Sequence, residues 1–140
     1  MMIIEKLREE DISKVLELYK DILPFETSLN KSEEMYKKII SDENYNLLVA
    51  KENNEILGTM LGICCNGLAE PFLVIEDVVI KDGMRGKGIG KKLMKELDNF
   101  AHEKKCTYSI LVSSDFRKEA HKFYEKVGFT DGVRGFRKVY

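Results

Sequence analysis

Residues 74–97, VIEDVVIKDGMRGKGIGKKLMKEL, constrain the fold of this chain more than any other stretch. The run opens on apolar, β-branched residues, which suit a buried strand. A short turn rich in glycine follows, and then Ile89, Leu93, Leu97 and Ala101 recur at helical spacing. A strand that stops, a loop without side-chain bulk and a helix that starts at once gather several free backbone N–H groups in one place. Those groups and the positive end of the helix dipole make a site for a phosphate or pyrophosphate. Glycine lets such a ligand approach the backbone closely. Arg85, Lys87, Lys91 and Lys92 surround the loop with positive charge. The expected ligand carries a diphosphate.

Several loops share this physics, and their spelling separates them. A P-loop needs G-x-x-x-x-G-K-[ST], which no glycine pair here supplies. A dinucleotide fingerprint needs G-x-G-x-x-G, whereas Gly86, Gly88 and Gly90 are spaced G-x-G-x-G. What stands here is R-x-x-G-x-G, written Arg85-Gly86-Lys87-Gly88-Ile89-Gly90. In this the chain resembles the GNAT superfamily of acyl-CoA-dependent N-acyltransferases, whose pyrophosphate loop has that signature.

A second stretch carries the same resemblance. Residues 120–129, AHKFYEKVGF, meet every position of the family pattern A-x-x-F/L-Y-x-x-x-G-F. The two motifs stand in the family's order, separated by one helix and one strand.

The chain between them reads as alternating elements. Residues 2–7 begin with a strand, and Asp11 is an expected N-cap for a helix whose face is Ile12, Val15, Leu16, Tyr19, Ile22 and Leu23. Pro24 is expected to end it. Asn30 and Glu33 suggest a loose capping box for a second helix that buries Met35, Tyr36, Ile39 and Ile40. Strands over 47–51, 55–65 and 72–80, with turns at Glu52-Asn53-Asn54 and Asn66-Gly67, make an antiparallel meander. After the central helix comes a strand over 107–113, parallel to its predecessor because a helix connects them. A helix over 117–127, stopped by Gly128, and a last strand over 135–140 complete the pattern.

The order β-α-α-β-β-β-α-β-α-β predicts an α/β fold, a mixed sheet with helices on both faces. The resemblance makes it GNAT-like: mostly antiparallel, with a splayed parallel pair of central strands. A chain of 140 residues is expected to form a single domain, 1–140.

Composition excludes some partners. A formal net charge of −1 argues against nucleic-acid binding by bulk electrostatics, since positive charge is concentrated only at 85–92 and 117–122. No apolar run of membrane-spanning length and no cleavable signal pattern appear, so no membrane partner is expected and cytoplasm is the expected location. Cys64, Cys65 and Cys106 form no C-x-x-C pair and read as reduced core thiols. His102 and His121 have no partners at ligand spacing, so no metal is expected.

The chemistry follows from the resemblance and from the residues beside it. Acetyl-CoA is the implied co-substrate. Tyr124 holds the family's general-acid position, where a phenol can protonate or hydrogen-bond the departing thiolate. Amine attack also needs a base, and Glu76 and Asp77 are adjacent carboxylates inside an apolar strand. Buried charge is costly enough that such residues have partners or a function. Neighbours on a strand face opposite ways, so one of the two is expected to meet the acceptor. Glu76 is the expected base, directly or through water, with Asp77 a supporting acid. This acidic pair before an apolar triplet resembles glucosamine-6-phosphate N-acetyltransferases.

For the co-substrate, the resemblance implies main-chain contacts from Val78, Val79 and Ile80 to the pantetheine arm. It implies pyrophosphate contacts from Arg85, Gly86, Lys87, Gly88, Ile89, Gly90 and Lys91, with Ser113 where the strands part. The family often has Asn three residues before the motif alanine; this chain has Arg117, which with Lys122 is a candidate for the 3′-phosphate. Arg134 and Arg137 are candidates for holding an anionic acceptor, with solvated strand residues as the alternative. Cys64 or Cys65 as an acyl-enzyme nucleophile lacks any local Cys-His pairing. The expected acceptor is a small-molecule amine. The alternatives are a protein-lysine or N-terminal acetyltransferase and a non-catalytic acyl-CoA sensor. A homodimer is left open, dimers being common among proteins of this kind.

Overall fold

The computed structural model describes residues 1–23, 25–115 and 117–140. The expected stop at Pro24 lies outside the described residues. Strand β1 (Ile3–Lys6) is followed by a 3-10 turn (Glu9–Asp11) and helices α1 (Ile12–Tyr19) and α2 (Leu29–Ile40). The meander β2 (Tyr45–Glu52), β3 (Glu55–Asn66) and β4 (Pro71–Ile80) leads to helix α3 (Ile89–Glu103). Strand β5 (Ser109–Ile110) and helix α4 (Lys118–Lys126) follow.

The five strands lie in chain order, with β1 to β4 antiparallel and β4–β5 parallel. The meander follows from its turn: Asn53 and Asn54 both take positive φ, 52° and 63°, which asparagine tolerates better than most residues. Strand alternation then splits the core in two. Leu48, Ala50, Met60, Leu73 and Ile75 face α3 and pack on Leu93, Met94 and Leu97. Val49 and Ile56 face the other way, onto Leu7, Ile12 and Val15. Helices therefore cover both faces of the sheet, as expected.

Several local expectations need correction. Asp11 does stand at the N-cap position of α1, where it also ends the 3-10 turn, but its side chain makes no capping bond to the helix. Its buried carboxylate accepts from the Arg8 main-chain N–H at 2.9 Å and pairs with Lys51 at 2.8 Å. The cap of α2 is Ser28 rather than Asn30, its Oγ accepting from the Lys31 N–H at 3.2 Å. The expected burial of α2 does not occur either, because Met35 and Ile40 stay exposed and Tyr36 and Ile39 are half-buried.

Strand β5 is confined to two residues, and no strand forms over 135–140. Three glycines, Gly128, Gly132 and Gly135, raise the entropy of ordering that segment. A two-residue β5 also offers almost no ladder for it to join. The parallel pair therefore sits at one edge of the five-stranded sheet rather than at its centre.

Candidate active site

Strand β4 carries the site because it outruns its parallel neighbour. Pairing with β5 covers only Leu73↔Ser109 and Val74↔Ile110, whereas β4 continues to Ile80. Its later main-chain groups on that side have no partner strand among the described residues. The parted strands expected from the sequence are present here.

A bulge reshapes the same stretch. Thr59 stands opposite Val79 and Leu61 opposite Glu76, so Asp77 and Val78 together face the single residue Met60. Asp77 takes φ 54°, a conformation that asparagine and aspartate tolerate better than other side chains. An extra residue flips the alternation: Leu73 and Ile75 face the α3 core, and beyond the bulge Val78 and Ile80 do so instead. Simple alternation through Glu76 and Asp77 is therefore interrupted at the bulge. The two carboxylates interact, and Asp77 is also within Coulombic reach of Tyr19 on α1.

Electrostatics at this cluster follow from burial. Desolvation raises the Glu76 carboxyl above its ordinary range, neighbouring Asp77 raises it further, and Arg137 opposes both. Burial likewise raises Asp77. The Tyr19 phenol is raised by burial and by Asp77, with Thr59 beside it acting the other way. The Thr59 hydroxyl itself donates to the Leu48 carbonyl at 2.8 Å.

At the end of β4 the chain turns into α3 through the glycine loop. Gly86 and Gly88 have φ of 81° and 80°, and a Cβ on either would meet nothing within 4 Å. Gly88 is the cap of α3 and no side chain bonds its first turn; the Lys92 N–H is the one that reaches back to the Gly88 carbonyl, at 3.1 Å. The preceding N–H groups have no partner among the described residues and lie at the positive end of a fifteen-residue helix. This open cradle, with the unpaired β4 edge beside it, fits a diphosphate carried on an extended arm.

The remaining expected residues sort by geometry. Side chains of Val78, Val79, Ile80 and Ile89 are buried or half-buried, so these residues have their main chain to offer. Gly90 is a packing residue, because a Cβ there would lie 2.9 Å from Phe123 Cζ of α4. Arg85 is paired with Asp82 at 2.6 Å, Lys122 with Glu119 at 3.4 Å, and Lys87 and Lys91 are exposed. Exposed pairs of this kind are weak enough for a ligand to displace. The Ser113 Oγ is buried without a hydrogen-bond partner. Beside it, the Ser114 carbonyl contacts His121 Nε2 at 2.9 Å.

Tyr124 is 7% exposed and held between Phe123 and Phe129, at ring-centroid distances of 5.6 and 6.3 Å. Burial raises its phenol and Arg117 at the start of α4 partly offsets this, so the two residues share one neighbourhood. Among the described residues no cluster of His, Cys, Asp or Glu is arranged to hold a metal ion, and all three cysteines are free. A cavity of about 510 Å³ lies at the far ends of α2 and α3, lined by Asn46, Phe100 and Lys104, and contains none of the motif residues.

The bulge has no signature in the local sequence, whereas Gly58 does mark a close approach. A Cβ at Gly58 would lie 2.8 Å from Ile80 and 3.2 Å from Ile89, so this glycine lets β3 pass beneath the corner. An isolated glycine inside a strand is the signal that marks such an approach.

The profile of the acetyltransferase (GNAT) family matches residues 6–129. The chain belongs to this family. It is 27% identical over 148 residues to a thialysine N-epsilon-acetyltransferase of Sus scrofa, covering 93% of this chain and 85% of that one. A glucosamine 6-phosphate N-acetyltransferase of Trypanosoma brucei brucei is 41% identical over 63 residues, 45% of this chain and 41% of the relative. The crystal structure of the Arabidopsis thaliana glucosamine-6-phosphate N-acetyltransferase superposes with a TM-score of 0.87, covering 100% of this chain and 99% of that one. At 24% identity that likeness speaks for the fold. In this GNAT acetyltransferase the two sequence motifs meet at one place: Gly90 of the loop packs on Phe123, the neighbour of Tyr124.

Proposed function

We propose that this GNAT acetyltransferase moves an acetyl group from acetyl-CoA to the primary amine of a small molecule, directly, within a ternary complex. The observation that carries this is the unpaired edge of β4, which runs from the Glu76-Asp77 cluster to the orphan N–H groups before Lys92. Acetyl-CoA supplies a carbonyl activated by a thiolate leaving group. The loop residues Arg85 to Lys91 hold the diphosphate, and main-chain groups of Val78 to Ile80 align the arm and polarise the carbonyl. Arg117 and Lys122 serve the 3′-phosphate, and the unpartnered Ser113 hydroxyl lies beside the arm.

Glu76 takes the proton from the acceptor ammonium, directly or through water. Its raised pKa makes it a stronger base than an ordinary carboxylate. Asp77 supports that raised value through its charge. As the N–C bond forms and the C–S bond breaks, the acylated nitrogen sheds its second proton to water and Tyr124 donates to the leaving sulfur. Its phenol titrates above its ordinary value of 10, against about 8.5 for a simple thiol, so full proton transfer is uphill by about 2 kcal/mol or more. Hydrogen bonding to the thiolate is therefore the form its assistance takes. Most of the rate gain comes from holding a free amine against the carbonyl.

The names of the relatives, which act on thialysine and on glucosamine 6-phosphate, support a small-molecule acceptor. A non-catalytic acyl-CoA sensor would need neither Tyr124 nor Glu76. Thiol release from acetyl-CoA across a panel of small amines tests the reading. Glu76→Gln is expected to lower kcat by about 10²–10⁴-fold with acetyl-CoA affinity unchanged. Binding of acetyl-CoA without thiol release from any amine or lysine peptide would favour the sensor.

A further inference from the structure

The C-terminal segment brings an arginine to the acceptor base, and this says something about the acceptor. Strands β4 and β5 run parallel with Val74 opposite Ile110 as their last pair, and Glu76 and Val112 each lie two residues beyond it, where the strands part. Gly135 rests on Val112: a Cβ on it would lie 2.6 Å from Val112 Cγ1. The terminal segment therefore packs where the two strands part, and Arg137 is two residues along. Its guanidinium is close enough to oppose the rise of the Glu76 carboxyl. Yet the two form no ion pair within 4.0 Å; among the described residues, the paired arginines are Arg8 and Arg85.

An arginine in this place works against Glu76. A positive charge beside a general base weakens it, and a pair that never closes gives little stability in return. The arrangement gains a purpose if an anion completes it. Resting on the reading of Glu76 as the residue that meets the acceptor amine, we propose that Arg137 anchors a negative group on the acceptor. The acceptor is then a small amine bearing a carboxylate or a phosphate on the same skeleton. Its anion occupies the planar donor fork of Arg137. Doing so also masks the positive charge and returns full basicity to Glu76, so that the base is strongest when the right molecule is bound. Asp77, which acts on Glu76, also reaches Tyr19 electrostatically.

The test compares three matched amines, one without an anionic group, one with a carboxylate and one with a phosphate, on the full chain with saturating acetyl-CoA. The wild type is expected to favour an anionic amine by about 10- to 100-fold in kcat/KM, as a charge-assisted bidentate contact would give. The larger of the two anionic preferences identifies the group. Arg137→Gln should abolish the preference chiefly through KM, Arg137→Lys should restore part of it, and the plain amine, relieved of the charge that opposes Glu76, should not be turned over more slowly. Equal losses for charged and uncharged amines, or a wild type indifferent to the anion, overturn the proposal. A second readout needs no turnover. With CoA filling the diphosphate loop, a deaminated carboxylate and inorganic phosphate are titrated into each protein. Wild type should bind one of them at least tenfold more tightly than Arg137→Gln, and equal binding refutes the anchor. Absence of thiol release with all three amines overturns the acetyl-transfer reading, while this titration still decides on Arg137 by itself.

Discussion

Tyr124→Phe isolates one hydroxyl. The ring that Tyr124 packs between Phe123 and Phe129 is retained by phenylalanine, and the hydroxyl makes no hydrogen bond among the described residues. No buried partner is left unsatisfied, so unfolding stability should change by no more than about 0.5 kcal/mol. For a chain of this size that is a Tm shift within about 2 °C. Turnover should respond quite differently. A hydrogen bond to a charged group is worth about 1.5–3 kcal/mol. If Tyr124 makes one only to the departing thiolate, kcat falls by about 10- to 150-fold. The diphosphate loop lies on α3 and the hydroxyl on α4, so acetyl-CoA affinity should stay within twofold. Thiol release under saturating substrates gives kcat, calorimetric titration gives the affinity, and thermal unfolding gives Tm. An unchanged kcat would remove Tyr124 from the chemistry. A tenfold loss of acetyl-CoA affinity accompanying the fall in kcat would mean that the hydroxyl holds the ground state, and the leaving-group role would be wrong.

Other perturbations separate the parts of the site. Gly88→Ala meets no atom but forces φ 80° on alanine, so it should cost about 1–2 kcal/mol of stability and weaken acetyl-CoA binding in titration. Gly90→Ala instead drives a methyl into Phe123 at 2.9 Å; an overpacking loss of about 1–3 kcal/mol and a displaced Tyr124 should lower kcat more than affinity. Asp77→Asn keeps the residue best suited to φ 54° and removes the charge. Because burial raises the Asp77 carboxyl in the folded state, its stabilising contribution is complete below about pH 3.9 and is lost as pH rises through the folded value. The variant should therefore melt above wild type at pH 7 and level with it near pH 3; the reverse order would contradict the buried carboxylate. The same change relieves Glu76 of a neighbouring negative charge, so the acidic limb of kcat/KM should move to lower pH.

Much of this was legible because it is local. The glycine loop, the strand before it and the apolar spacing after it specify a strand-to-helix corner whatever surrounds them. Two adjacent asparagines, Asn53 and Asn54, supply the positive φ values a tight hairpin needs. Local signals also misled. Asp11 has a capping residue's chemistry but uses it on Arg8 and Lys51, and Ser28 outcompetes Asn30 for the end of α2. Residues 135–140 alternate well enough for a strand, yet Phe136 and Val139 stay exposed because there is no sheet edge long enough to receive them.

By itself, the sequence determined the family, the strand-to-helix corner and which side chains are candidates for the chemistry, since each depends on residues close together in the chain. Tertiary structure decided what those residues face. The two-for-one match of Asp77 and Val78 against Met60 is a property of strand pairing, and it reverses which residues of β4 face α3 beyond Ile75, which simple alternation does not anticipate. The close passage of Gly58 under Ile80 and Ile89, and of Gly135 over Val112, likewise joins positions far apart in sequence. Orientation, burial and charge at the acceptor site come from such contacts, which no window along the chain contains.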